Sequence, residues 1–497
     1  MKKTAIPADS PLLQKYNGVF SLFAAFYYLI FLYCIIEHRY YGSVYQTALF
    51  RIVIALLVVS YFAVYRLQGG MELHLLALYC LWVIFTQIVH GEVLQRWEFL
   101  IELQLMLVWF IPGIILHGNR RNQYCSWLSW ITMAFFALLG LVCIYVAVTR
   151  TTVLNPLNGD EIRYSDSAGW GVQRILFLNF HPNGTGGLYL IAFSLSLMMI
   201  FRAKTIGGKA AAVLSAVIAF LVVAMSASRN AQTFASTAFG LMVGIIALSR
   251  LAPGRKMLVR ATILLGVSIV VLLGSYRLYE PIRKGLWQIH EQITGASDST
   301  AIPTRHDAVP YAGFGLRPMS AGSSDEEEYE DEEYTEDPRG YLESGRKQIW
   351  WSALKSLQLD PARLLCGAPM DDVMDISNSL IEEQAKDFHN CFLHVVNEFG
   401  LPALLLVLSF FVKVFGDGVA VVMQGGTNCR MQDRMLVLPV VAMMGFNMLE
   451  TKSFIASDFT ALFFFFACGM LVGVYRDRGS KSIKAEIAEQ EMTGIIP

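Results

Sequence analysis

Charge is scarce in this chain: Asp, Glu, Lys and Arg make up 16% of its 497 residues, against 55% apolar and aromatic. Soluble domains carry roughly 25% charged and 45–50% apolar residues, so a soluble multidomain enzyme is excluded. A basic tract is missing, which leaves no electrostatic case for nucleic acid. Metal-binding thiol patterns are missing too. Cys34, Cys80, Cys125, Cys143, Cys366, Cys391, Cys429 and Cys468 stand without a CxxC or a His/Cys cluster at zinc spacing, and read as small apolar filler. No metal and no cofactor is expected. Only Cys366 and Cys391 share the outer side in the topology below, so a disulfide between them is the alternative reading. The opening Met-Lys-Lys could begin a signal peptide. The first apolar run, Gly18 to Ile36, nevertheless has the length of a bilayer span and reads as an uncleaved signal anchor.

Long hydrophobic runs are what the sequence does have. A span needs about 20 mostly apolar residues. Such runs fall near 18–37, 46–65, 71–90, 97–117, 126–148, 184–202, 209–226, 230–249, 258–276, 391–415, 434–449 and 457–475. The expected fold class is all-α, a polytopic membrane protein with about twelve transmembrane helices. Lys and Arg near span ends are retained in the cytoplasm, and every second loop here is basic. Arg66 leads the series, then Arg120 and Arg121, Arg202, Lys204 and Lys209, Arg250, Arg255 and Lys256, and Arg430 and Arg434. The tail adds Arg476, Arg478, Lys481 and Lys484. Residues 1–17 and 476–497 are therefore expected in the cytoplasm. Spans one to nine fill 18–276, with a periplasmic loop at about 149–183. A large periplasmic loop, 277–390, follows between spans nine and ten, and spans ten to twelve fill 391–475. Short outer turns lie at Ser226 to Asn230 and Glu450 to Ala456.

The formal net charge of −1 conceals ten acidic residues between Asp325 and Asp337, without which the chain is net positive. That run, SSDEEEYEDEEYTEDP, repels itself and is expected to be a disordered, solvated tether rather than a calcium or partner site. Beyond it, ESGRKQIWWSALKSLQLDP repeats Arg346, Trp350, Ala353 and Leu357 at helical spacing until Asp360-Pro361 stops the run. A helix lying on the membrane surface or on the bundle is expected there, with its Trp pair at headgroup level. Arg346 shares the apolar stripe and needs an anionic partner such as a lipid phosphate.

Span ten opens with HNCFLHVVNEFGLPALLLVL, which puts His389 and Asn390 at a helix N-terminus and Glu398 and Gly400 deeper in the span. The string His-Asn followed by Glu-x-Gly, preceded by GRKQIWWSALKSLQLDPARLLCGAP, resembles the shared region of bacterial O-antigen ligases and related polysaccharide polymerases. SASRNAQTFASTAFGLMVGI resembles that family's Ser-Arg turn between two spans. The resemblance covers roughly residues 180 to 475, with Gly367-Ala368-Pro369 standing where the family has Gly-x-Gly.

What the resemblance implies is a metal-independent glycosyltransferase in the bacterial inner membrane. It would move a glycan from a polyprenyl (undecaprenyl) diphosphate carrier to an acceptor hydroxyl on the periplasmic face. The acceptor would be a glycan, lipid A core or a protein, which separates polymerase, ligase and protein O-oligosaccharyltransferase. Such a reaction must stabilise a departing diphosphate, and bidentate arginines suit phosphate oxygens. Arg346, Arg229 and one of Arg163 or Arg174 are the candidates. A base must also draw the proton from the acceptor, and the dipole of the helix N-terminus favours a neutral His389 able to accept it. Asn390 would orient the imidazole or acceptor, and Trp350, Glu398 and Glu450 complete the candidate binding set.

Each residue also has a blander role. His389 could cap its helix, Arg229 could anchor span ends in headgroups, and Arg163 and Arg174 could be loop charges. His394 and Glu398, four apart on one helix face, read as a buried hydrogen-bonded pair. Glu450 opens the turn ETKSFIA as a supporting residue, and His181 and Asn183 in NFHPNGTGG read as turn formers. A transporter or flippase also needs many spans, but places ionisable groups near the bilayer midplane. Here Arg51, Glu98, Glu102 and Lys413 lie toward span ends.

Overall fold

The computed structural model describes residues 10–37, 48–65, 70–155, 157, 159–166, 173–178, 182–252, 255–294, 346–359, 363–381, 388–423, 430–450 and 459–493. The acidic run, His181 and Cys429 lie outside the described residues, as do the side chains of Glu98, Glu102 and Arg346. Helix dominates, because a bilayer offers no partner to backbone N–H and C=O and each span must satisfy its own. The chain opens with α1 (Pro11–Glu37), α2 (Ala48–Tyr65), α3 (Gly70–Val89), α4 (Trp97–Glu102), α5 (Leu105–Ile115) and α6 (Gly118–Thr149). A small sheet follows, β1 (Val153–Leu154), β2 (Glu161–Asp166) and β3 (Gln173–Leu176), in the order β1-β2-β3. Next come α7 (Pro182–Arg202), α8 (Ile206–Ser226), α9 (Arg229–Leu251), α10 (Met257–Tyr276) and α11 (Tyr279–Thr294). After them stand α12 (Arg346–Leu359), α13 (Arg363–Cys366), α14 (Met370–Ile381) and α15 (Cys391–Met423). The last helices are α16 (Met431–Arg434), α17 (Val437–Met448) and α18 (Phe459–Thr493).

Among the described residues, nine helices are long and apolar enough to cross a membrane, and Arg51–Tyr65 and Phe99–Ile115 are shorter apolar helices. The chain is thus a polytopic, mainly α-helical membrane protein. Helix occurs in each of the twelve apolar runs, but the fourth breaks at Leu103 and Gln104, and the eleventh divides into α16 and α17. Cys366 and Cys391 are both free thiols, and Cys391 is fully buried as apolar filler.

Connections sort to two ends of the bundle. The basic end is held by ion pairs: Glu72 meets Lys413 at 2.6 Å and also Arg476, Lys413 meets Asp417 at 2.5 Å, and Asp477 meets Arg121 at 2.6 Å. These pairs tie α3, α15 and α6 to α18. Small residues bring α5 and α18 together, since a Cβ on Gly113 would lie 2.0 Å from the Gly469 backbone.

The opposite, loop end carries the turn His90–Arg96, the sheet, Ala227–Ser228, α11 to α14 and Leu449–Glu450. The sheet, which hydropathy does not announce, turns Ile162 and Ile175 inward onto the bundle. Helix α11 is a second unannounced element. It folds over the end of α6, where His290 Nδ1 meets the Val148 carbonyl at 2.7 Å and the Arg150 guanidinium lies between the rings of Tyr164 (4.2 Å) and Trp287 (4.7 Å). Burial lowers the pKa of Arg150 from its ordinary value, and the two rings supply part of what water would.

The Glu-x-Gly string turns out to be a backbone device. Gly400 has φ 84° and ψ 175°, which breaks α15 internally two residues beyond Glu398 and frees carbonyls from the helical ladder. Two of those carbonyls find partners: Asn397 O accepts from Ala368 N at 3.0 Å and Phe399 O from Trp82 Nε1 at 2.8 Å. The segment after α13 docks so tightly that a Cβ on Gly400 would lie 2.2 Å from Leu365 O, and one on Gly367 would lie 2.2 Å from Glu398 O. Gly400→Ala is therefore expected to destabilise the protein by at least about 3 kcal/mol, from backbone strain plus overlap. Thermal unfolding in detergent checks this against Gly416→Ala, whose Cβ would meet nothing within 4 Å and which should leave the midpoint within a few degrees.

Candidate functional site

At the loop end of α15, Asn390 Oδ1 accepts from the backbone N–H of Phe392 (3.0 Å) and Leu393 (3.2 Å). That is an N-cap, so the Asn390 side-chain oxygen is taken up by the helix start. The cap fixes where the helix begins, and the preceding His389 is left at φ 46°, in the left-handed region. Such a backbone is uncommon outside glycine and marks a position over-determined by its surroundings. Trp350 supplies one such constraint, donating from Nε1 to the Phe388 carbonyl at 2.8 Å. Helix α12 itself lies on the bundle through Ala353 and Ser356, whose hydroxyl donates to Asn397 Oδ1 at 2.9 Å. Trp350 thus positions the residue before His389, while Trp351 is exposed.

Glu450, buried just past the end of α17, gathers the rest. Its Oε1 accepts from Asn183 Nδ2 (3.1 Å) and Asn230 Nδ2 (2.7 Å), and its Oε2 lies 3.8 Å from His389 Nδ1. Asn183 stands in the first turn of α7, Asn230 in the first turn of α9, and His389 just before α15. Three helix N-termini therefore converge on one carboxylate, and their partial positive charges offset the cost of burying it. The NGTGG string permits this convergence. A Cβ on Gly186 would lie 2.7 Å from the Ala231 Cβ and 2.9 Å from the Ser228 Cβ, and one on Gly187 would lie 2.6 Å from the Phe446 ring. The string is thus a close-packing face of α7, which starts at Pro182, rather than a turn ahead of it.

Arg229 is the first residue of α9, set by Ser228, whose Oγ accepts from Ala231 N at 3.4 Å. Its side chain is exposed and makes no ion pair among the described residues, and it is adjacent in sequence to Asn230, which reaches Glu450. Arg346 opens α12, one turn before Trp350. Arg163 and Arg174 belong to the sheet packed over α6, α7 and α8. Register pairs Arg163 with Leu176 and Ser165 with Arg174, which places both arginines on the face opposite Ile162 and Ile175. Arg163 meets Glu161 at 3.3 Å.

Glu398 lies deeper and is buried, and its partners account for both of its oxygens. His394 Nε2 meets Oε2 at 2.9 Å, and Arg96 meets Oε1 while also reaching Glu92 at 3.3 Å. Burial opposes the charge on Arg96, but Glu398 and Glu92 outweigh it and hold the pKa above its ordinary value. The cluster fastens the turn His90–Arg96 to α15 just above the Gly400 break. Arg96, Asn183 as a ligand of Glu450, and Asn230 escape a sequence reading. Only the Asn beside Arg229 in Ser-Arg-Asn carries a faint signal. Among the described residues, no three His, Cys, Asp or Glu side chains are grouped as a metal site. Comparison with protein-family models, with curated proteins and with solved structures finds no match to this chain.

Proposed function

We propose that this chain is a glycosyltransferase of the bacterial inner membrane, which moves a glycan from a polyprenyl (undecaprenyl) diphosphate carrier to an acceptor hydroxyl at the loop end, facing the periplasm. The observation that carries this reading is the pairing of His389 with buried Glu450 where three helix N-termini and the exposed Arg229 converge. An imidazole whose Nδ1 faces a carboxylate has Nε2 left to accept a proton, the arrangement by which bases in acyl and glycosyl transfer are oriented. The acceptor oxygen attacks the anomeric carbon and loses its proton to His389 Nε2, while the bond from that carbon to the diphosphate breaks. The leaving diphosphate departs as an anion, met by Arg229, Arg346 and the helix N-termini. At 3.8 Å His389 Nδ1 and Glu450 Oε2 stand just beyond hydrogen-bond distance, and catalytic hydrogen bonds commonly tighten when substrate binds.

The chemistry is common to O-antigen ligases, polymerases and protein O-oligosaccharyltransferases, and the acceptor alone separates them. A transporter reading draws less support. The buried ionisable side chains gather at the two ends of the bundle, and the stretch Phe399–Val412 in the middle of α15 holds no charge. The test is transfer by the purified protein in liposomes, with lipid-linked donor and candidate glycan, lipid A core and protein acceptors. Transfer is expected with chelator present, and its complete absence with all three acceptors would overturn the reading. Arg229→Lys and Arg346→Lys should each lose about tenfold or more, because an ammonium cannot reproduce bidentate contact with phosphate. Unchanged turnover in both lysine variants would make them headgroup anchors.

A further inference from the structure

Helix α11 has a face that the bundle leaves uncovered. Leu278, Ile289 and Ile293 recur at spacings of eleven and four residues, one stripe of a helix, while Ile282 on the same stripe is half-buried against the core. Leu278, Ile289 and Ile293 are 51%, 44% and 63% exposed, while the opposite side is occupied by Trp287 on Arg150 and His290 on Val148. Leu265, Ile269, Val270 and Leu273 of the preceding α10, a helix long and apolar enough to cross a membrane, are exposed as well. The two helices together run from Met257 to Thr294, about twice what a bilayer needs, and the chain turns at Arg277 and Leu278. On a second face of α11, open to its surroundings, stand Arg277, Glu280, Pro281, Lys284, Gly285 and Gln288, which together line a shallow groove. Lys284 meets Glu280 at 2.9 Å, so Arg277 leaves the groove with one net positive charge.

We infer that the elbow of α10 and α11 is a docking site for the headgroup layer of the bilayer. α11 lies in the interface with Leu278, Ile289 and Ile293 among the upper acyl chains, and Arg277 and Lys284 hold the phosphate of an anionic phospholipid. An apolar stripe flanked by cations and joined to a lipid-facing span is what a headgroup boundary covers. The acidic run, whose apolar members are two tyrosines, cannot bury three aliphatic side chains. By fixing Arg150 and the sheet, α11 also ties the loop end to the height of the bilayer surface.

Spin labels on Ile289→Cys, Ile293→Cys and Gln288→Cys, in the full chain in nanodiscs with phosphatidylglycerol, test the placement, with the unsubstituted chain as background. Collisions with oxygen should exceed those with a water-soluble nickel complex at 289 and 293, and the order should reverse at 288. Labels at 289 and 293 shielded from both reagents would mean a protein segment or a second copy covers the stripe, and would overturn the proposal. Nickel access at all three sites would overturn it equally. Native mass spectrometry then counts retained phosphatidylglycerol. Arg277→Gln with Lys284→Gln should weaken its retention roughly fivefold per charge, toward the level of phosphatidylcholine. Unchanged retention, or displacement of the lipid by polyprenyl diphosphate alone, would sink the assignment to bulk phospholipid.

Discussion

Replacing His389 by alanine is expected to lower glycan transfer by about a hundred- to ten-thousandfold, the range that a general base contributes. The protein should still insert and still bind its lipid-linked donor, because the helix cap belongs to Asn390 and the neighbouring backbone to Trp350. Alanine at φ 46° adds a little strain. His389→Asn is the second variant, since asparagine tolerates the left-handed region and lacks the basic nitrogen. Both should lose the same activity, and thermal unfolding should separate strain from chemistry. The pH dependence of turnover gives the sharper reading. A base works when neutral, so wild-type turnover should fall toward acid pH as the imidazole takes up a proton, and both variants should lack that limb. Ordinary turnover with an unchanged profile would remove His389 from the mechanism and leave it a structural residue.

Glu450→Gln should cost on the order of a hundredfold in turnover with little change in donor binding. Glutamine can still accept from Asn183 and Asn230 through its carbonyl oxygen, so the convergence of α7 and α9 survives. What changes is the group facing His389 Nδ1. A carboxylate accepts there and leaves Nε2 as the proton acceptor, whereas an amide N–H donates to Nδ1 and favours the opposite tautomer. Glu450→Ala should behave differently. It leaves Asn183 and Asn230 without their buried acceptor, so folded protein and melting temperature should fall together with activity. A Gln variant with full turnover would show that the carboxylate is there for packing three helix ends alone.

These two variants separate what a single sequence can and cannot disclose. The His389–Asn390 pair was visible as a helix start, yet which of the two residues caps it depends on whether Oδ1 reaches the N–H of Phe392 and Leu393. Glu398 was readable as the partner of His394 because an i,i+4 spacing fixes the geometry within one helix. Its other partner, Arg96, lies 302 residues away, and no local rule selects it from the arginines of the chain. Glu450 could be suspected from its place in a short turn, but not that it would be shared by Asn183 and Asn230. The Gly in Glu-x-Gly looked like part of a chemical motif and proved to be where the helix breaks.

By itself the sequence determined that the chain is a polytopic, mainly α-helical membrane protein, where its apolar runs lie, and that a helix starts at His389–Asn390. The reason is that transfer into hydrocarbon and capping are local terms, summed residue by residue along the chain. Only the tertiary structure decided that three helix N-termini meet at Glu450, that α11 folds back over α6, and that a small sheet sits beside it. Those contacts are chosen by shape and close approach between distant segments: Gly186 against Ala231, Gly367 against Glu398, and Arg150 between Tyr164 and Trp287. Their energies exist only once the partners have been brought together.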